Sequence, residues 1–242
     1  MRFHLICHGA LVLLALGCGP SLTPAESAEE ANYKYDRQEY ADAADLYETA
    51  CEGGVASACT RLGAMYALGE GVSADQKTAA DLFARACDQN DQRGCTMLGR
   101  AFVEGKGVAK SQKRGNELFD KACTSGYPAA CAEYGRSLWR GRGMPPDPAR
   151  GLPLLEKACR AKHAGGCFHL GVLLRMGDRG VTKDPRRAEA LLNQACELGE
   201  GEACAYLKKH FEALQREQQQ AGPAQQDAAS EGSSPAQSPS QE

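Results

Sequence analysis

Ten cysteines fall into five pairs, Cys51/Cys59, Cys87/Cys95, Cys123/Cys131, Cys159/Cys167 and Cys196/Cys204, each pair enclosing seven residues. Thiols at a fixed spacing can hold a metal, shuttle electrons or crosslink the chain. Zinc sites commonly draw their ligands from C-x2-4-C knuckles, and a thioredoxin-type couple uses C-x-x-C. Neither spacing occurs here. Two pairs would have to converge to complete a four-ligand shell. Crosslinking within each pair is the favoured chemistry, with metal binding and reactive thiols as the alternatives. The two other cysteines, Cys7 and Cys18, lie in an N-terminal segment of different character.

Other chemistry is sparse. The five histidines are His4, His8, His163, His169 and His210, and none stands in an H-E-x-x-H motif. No G-x-S-x-G elbow occurs. The repeated G-x-G follows no strand pattern, so it reads as a helix stop and not as a dinucleotide fingerprint. No motif asks for a cofactor or a metal. With a net charge of -3 and 6% aromatics, the bulk composition does not suggest a nucleic-acid binder. Charge is nevertheless uneven: residues 19–54 sum to -7, residues 91–126 and 127–162 to +3 and +4, and residues 200–242 to -4. Within the basic middle stand Arg136, Trp139, Arg140 and Arg142, a set that includes the chain's one tryptophan. Trp and Arg are enriched among interface anchors, so these four are the candidate binding residues.

The cysteine pairs recur every 36 residues, with a last step of 37, and other columns keep the same register. Leu62, Leu98, Tyr134, Leu170 and Leu207 form one column, and Gly63, Gly99, Gly135 and Gly171 the next. Tyr66, Phe102, Leu138, Leu174 and Phe211 follow four residues after the first. Late in each unit come Leu82/Phe83, Leu118/Phe119, Leu154/Leu155 and Leu191/Leu192, then an alanine directly before the cysteine. Offsets of three and four mark one apolar stripe on a helix. Each unit therefore reads as two helices, A (about 58–67 in the first full unit) and B (about 76–88), joined by a glycine-rich loop. A glycine costs about 1 kcal/mol inside a helix, so four in one column imply a close helix approach. One helix pair cannot bury its own stripe; stacked pairs can. The fold expected is an all-α helical-repeat solenoid, and the resemblance these motifs carry implies a right-handed one. Pro153, inside the third helix B, is expected to kink that helix or to delay its start.

These motifs carry a resemblance. LG-x2-Y-x2-GEGV, LG-x2-F-x2-GKGV and the trailing L-F-x2-A-C look like Sel1-like repeats, relatives of the tetratricopeptide repeat, over about residues 55–207. The C-x7-C pairs are similar to those of cysteine-rich secreted Sel1-like proteins known from Helicobacter. Upstream, YDRQEYADAADLYETAC resembles the second half of a tetratricopeptide repeat, with Tyr40, Ala43, Leu46, Tyr47 and Ala50 facing inward. In this arrangement the first cysteine of each pair ends helix B and the second opens the next helix A. The short turn makes the helices antiparallel neighbours, within reach of a bridge. Some members of that cysteine-rich group are described as β-lactam-binding proteins or β-lactamases, so the resemblance implies such an activity as the alternative function. The serine class needs S-x-x-K, and no serine here has a lysine three residues on; Ser111 comes nearest, with Arg114 there.

The first 18 residues, MRFHLICHGALVLLALGC, have the cation, apolar run and small residues of an export signal. Leu14 to Cys18 resembles the lipobox of bacterial lipoproteins, with Ala15 where that family usually has leucine. The resemblance implies removal of residues 1–17, lipid on Cys18 and, because Gly19 follows, outer-membrane sorting; secretion is the alternative. The expected organisation is a tether over 18–27, a tetratricopeptide-like helix pair over 28–54, repeats over 55–90, 91–126, 127–162 and 163–199, a capping helix over 200–216 and a disordered tail over 217–242. The expected function is a monomeric, non-catalytic interaction scaffold of the bacterial envelope, facing the periplasm. It would hold a protein or peptide on its inner helix-A face, touch the membrane through the lipid and bind no nucleic acid.

Overall fold

Ten successive helices have the same length, 13 residues. The computed structural model describes residues 22–220. Helix α1 is Pro24–Asp36, α2 Tyr40–Glu52, α3 Ala56–Leu68, α4 Gln76–Asp88, α5 Gln92–Glu104 and α6 Gln112–Thr124. Helix α7 is Pro128–Arg140, α8 Pro148–Arg160, α9 Ala164–Met176, α10 Pro185–Glu197 and α11 Gly201–Gln220. Among the described residues the only β-type pairing is one isolated bridge, Asp178 to Val181. Each helix packs on the next, and α3, α5, α7 and α9 also touch from one repeat to the next. The odd-numbered helices thus form the inner row of an all-α solenoid.

The repeated columns are explained by what they touch. A Cβ on Gly99 would lie 2.6 Å from the Phe119 ring and 3.1 Å from the Gly115 carbonyl oxygen. Gly63, Gly135 and Gly171 stand in the same relation to Phe83, Leu155 and Leu192. The glycine therefore admits helix B of its own repeat, and the second residue of each Leu-Phe or Leu-Leu pair fills the space beneath it. Phe83, Phe119, Leu155 and Leu192 are all buried. The alanine before each cysteine is fully buried as well. Its carbonyl accepts the closing bond of the B-to-A turn, as Ala122 O does from Tyr127 N at 3.0 Å and Ala158 O from His163 N at 3.1 Å. These turns pass through a left-handed residue, Gly54, Asn90, Gly126, Lys162 and Gly199 in order. Asp, Ser or His side chains cap most of the helices that follow the loops and turns: Asp75, Asp91, Ser111, Asp147, His163 and Asp184.

All five cysteine pairs are disulfides: Cys51–Cys59, Cys87–Cys95, Cys123–Cys131, Cys159–Cys167 and Cys196–Cys204, with Cα–Cα distances of 4.4 to 4.8 Å. Each ties the end of one helix pair to the start of the next. Five bridges fit an oxidising compartment. The first cysteine of each pair is the last residue but one of its helix B. The second stands in the first turn of helix A: Cys59, Cys95, Cys131, Cys167 and Cys204 are each the fourth residue of their helix. The turn bonds and the cap use up the residues before them, so the sulfur is carried inward. Cys59, Cys95, Cys131 and Cys167 are accordingly fully buried, while Cys204, at the last junction, is half-buried.

Other expectations are corrected. The tether expected over 18–27 is partly helix, because Thr23 and Glu26 form a capping box around Pro24 and start α1 there. The capping helix expected to stop at 216 continues to Gln220, since Glu217 and the three glutamines after it favour helix and no breaker precedes Gly222. Helix α3 begins at Ala56 and not at 58. Pro153 delays nothing: α8 starts at Pro148 and runs through it, and both Pro153 and Ala149, four residues earlier, are exposed. The signal, Cys18 and the tail from 221 onward lie outside the described residues.

Candidate functional site

The inner row carries a polar cleft of about 500 Å³, built from α5, α7, the start of α9 and the start of α11. Its floor is an ion-pair network. Arg100 Nε and Nη2 both reach Glu133 Oε1 at 2.9 Å, and Arg136 pairs with Glu133 Oε2. The Glu133 side chain is 12% exposed. Burial pushes its carboxyl upward, but Arg136 and Arg100 outweigh that and hold it below the ordinary glutamate value.

His169 lies one repeat on from Glu133. Burial, reinforced by the Arg136 charge, lowers it to about 3, so the ring is neutral at neutral pH. Its buried Nδ1 and the buried Nε of Arg136 have no hydrogen-bond partner. Such groups are uncommon in folded proteins. His163 caps α9, its Nδ1 accepting from Gly166 N at 3.1 Å, and burial followed by the Arg100 charge lowers its pKa too. Lys162 and Gly165 border the cleft beside that cap. Arg140 is exposed at the rim, its guanidinium 5.1 Å from the Trp139 ring centroid. Glu200 and Glu202 form the opposite wall. Among the described residues no serine, threonine or cysteine lines the cleft. Among the described residues no group of three His, Cys, Asp or Glu is placed to hold a metal ion.

The expected site residues separate into two kinds. The cysteines Cys51, Cys59, Cys87, Cys95, Cys123, Cys131, Cys159, Cys167, Cys196 and Cys204 are spent in bridges at the repeat junctions. They fix how α5, α7, α9 and α11 lie beside one another and touch nothing in the cleft. The four candidate binding residues are not one patch. Arg136 and Arg140 reach the cleft. Arg142 sits in the following loop, its carbonyl accepting from Asn116 Nδ2 at 2.5 Å. Trp139 requires correction: it is 6% exposed and packs in a core cluster with Leu155, Phe168 and Leu173, so it supports Arg140 from beneath and presents no anchor. Its position, one residue beyond Leu138, widens the apolar stripe of α7 toward α9. Sequence reasoning misses Arg100, Glu133, Lys162 and Glu200, and treats both histidines as incidental. The signal is present in the register. Arg100 and Arg136 are 36 residues apart, as are Glu133 and His169, and the two columns are offset by three, so they share one face of helix A.

What repeats along this chain is a surface and its clamps, which defines a helical-repeat scaffold of the protein-interaction kind. The Sel1 repeat pattern matches residues 56–91, 92–127, 128–163 and 164–200. The chain belongs to the Sel1 repeat family. No curated protein sequence matches it. Among solved structures, a Sel1 repeat protein from Oxalobacter formigenes is 26% identical with a TM-score of 0.67, covering 75% of this chain and 74% of its own. The protective antigen c5321 of uropathogenic Escherichia coli is 23% identical with a TM-score of 0.68 over 79% of this chain, which spans 42% of that protein's length. Helicobacter pylori cysteine rich protein B is 27% identical over 48% of this chain and 99% of its own, with a TM-score of 0.38.

Proposed function

We propose that this chain is a lipid-anchored envelope scaffold that holds a peptide segment of a protein partner along its inner helix row, with a carboxylate of that segment seated in the α5/α7/α9/α11 cleft. The observation that carries this is one polar cleft lined by Arg136, Arg140, Lys162 and His169, beneath which the buried Arg136 Nε and His169 Nδ1 have no hydrogen-bond partner. An ionised carboxylate seated in the cleft pairs with the guanidinium of Arg136, whose side chain is part-exposed there. Arg140 and Lys162 add positive charge at the rim, and Glu200 and Glu202 are placed to meet a cation elsewhere on the same segment. The disulfides support export, and the lipobox-like Leu14 to Cys18 supports anchoring.

Affinity capture from envelope extracts tests the reading, with wild type and Arg140→Glu compared side by side. Arg140 is exposed and carries no ion pair among the described residues, so its reversal leaves the fold intact. The expected result is a partner that co-elutes with wild type, is released by salt and is lost from the variant. Equal capture by both refutes the cleft. Anchoring is tested separately: Cys18→Ser should move the protein from the membrane fraction to the soluble one.

A further inference from the structure

The two long edges of the solenoid differ in charge. One edge is made by the A-to-B loops and the first residues of each helix B. Over its last three loops, residues 105–114, 141–150 and 177–187, it holds ten Lys or Arg against three Asp; the first loop, residues 69–78, adds Lys77 against Glu70 and Asp75. The opposite edge is made by the B-to-A turns. Over residues 52–57, 88–93, 124–129, 160–165 and 197–202 it holds three Lys or Arg against six Asp or Glu. The cations of the loop edge face solvent: Lys106, Lys110, Lys113, Arg114, Arg150, Arg179, Lys183, Arg186 and Arg187 are exposed. All three acids of the last three loops are already engaged, Asp178 with Arg179 at 3.6 Å, and Lys106 and Arg187 pair with Glu104 and Glu156 at 2.7 and 2.6 Å. Asp147 accepts from Arg150 N and Asp184 from Arg187 N, both at 3.0 Å, as helix caps.

The edge is also continuous. A Cβ on Gly107 would collide with the Gln76 backbone at the start of the preceding helix B, and one on Gly143 would lie 2.7 Å from Gln112 Cβ. The loops of residues 105–114 and 141–150 are thus each seated on the repeat before them, and their cations form one continuous edge.

Two features say which polyanion suits this edge. No aromatic residue occurs in its segments, so nothing there stacks on bases. At its two ends, at the same register position at the C-terminus of helix A, stand Leu68, 69% exposed, and Met176, 62% exposed. Basic charge flanked by exposed apolar side chains matches an anionic lipid interface, where cations meet headgroups and apolar tips enter the acyl boundary.

We propose that the loop edge of repeats two to four docks on an anionic phospholipid surface. This contact is independent of any acyl chain on Cys18 and of the inner cleft, and it lays the solenoid along the membrane with the acidic edge turned away. The anionic surface attracts each nearby cation enough to change partitioning about fivefold, fading beyond about 10 Å at 0.1 M salt.

The test uses residues 18–242 carrying Cys18→Ser, oxidised, which contain every described helix and no acyl site. Sedimentation is measured with vesicles of 30% phosphatidylglycerol in phosphatidylcholine and with vesicles of phosphatidylcholine alone. Binding to the anionic vesicles only, and its release by 0.5 M NaCl, is expected. Lys110→Glu/Lys113→Glu/Arg114→Glu should weaken it about a hundredfold, and Leu68→Ser/Met176→Ser by several-fold. Arg93→Glu/Arg160→Glu, on the opposite edge, should leave it unchanged, with circular dichroism confirming the fold of every variant. Equal sedimentation with both vesicle types, or an undiminished triple variant, overturns the proposal. So does capture of a single-stranded DNA 30-mer without vesicle binding.

Discussion

Removing one internal clamp gives the sharpest test of how this solenoid is stabilised. The bridge Cys123–Cys131 joins α6 to α7 in the middle of the stack, and both cysteines are buried, 3% and 0% exposed. Replacing both with alanine removes the crosslink without burying a hydroxyl. Loop-closure entropy for about nine residues corresponds to about 2.5 kcal/mol. Each lost sulfur also leaves a methylene-sized gap, at about 1 kcal/mol apiece. The double variant should therefore lose about 4 to 5 kcal/mol in urea unfolding. Because each repeat contacts only its neighbours, the loss should be felt locally first. Amide exchange should accelerate in α6 and α7 while α1 to α3 keep their protection. A change below 1 kcal/mol would show that the turn bonds from Tyr127 N and Gly126 N already restrain the chain and that the clamps are not what holds the junctions. Uniform acceleration over all eleven helices would refute the local-contact argument instead.

Three further outcomes are expected. Gly99→Ala should cost about 1–3 kcal/mol in urea unfolding, because its methyl would meet the Phe119 ring at 2.6 Å in a packed crossing; a neutral effect would mean that α5 and α6 separate freely. Lys162→Gly should raise the melting temperature, since Lys162 holds φ +58° where L-residues lose about 1 kcal/mol, and at the same time it should weaken partner capture by removing a rim cation; a lower melting temperature would contradict the strain. Stability should also fall on acidification below about pH 6.5, because unfolding frees His169, lowered to about 3 by burial and then by Arg136, to take up a proton. Its contribution is complete above the ordinary histidine range and fades as pH drops toward 3, by up to about 1.4 kcal/mol per pH unit. Urea titrations at pH 7 and pH 5 should show this slope in wild type and a shallower one in His169→Gln.

Much of the fold is legible because the constraints that build it are local. A glycine that must admit Phe119 sits at a fixed offset from it, and a cysteine near the end of helix B sits eight residues from its partner. Such distances repeat with the chain and are visible as columns at 36 residues. The start of α1 is also written locally, in Thr23-Pro24-Ala25-Glu26, but outside the repeat, so periodicity does not reveal it. The cleft is different in kind. Glu133 is held below the ordinary glutamate value by Arg136 and by Arg100, 33 residues away, and His169 is lowered to about 3 by burial and then by Arg136. Trp139 reads as an anchor among cations until the next repeat covers it.

The sequence by itself determined the helix pairs, their stacking and the sulfur clamps, since each depends on contacts within one repeat or with its immediate neighbour. Tertiary structure alone decided which charged side chains face one another across the inner row and which line the loop edge. Burial and through-space charge depend on how repeats are placed beside each other, and no single repeat encodes that placement.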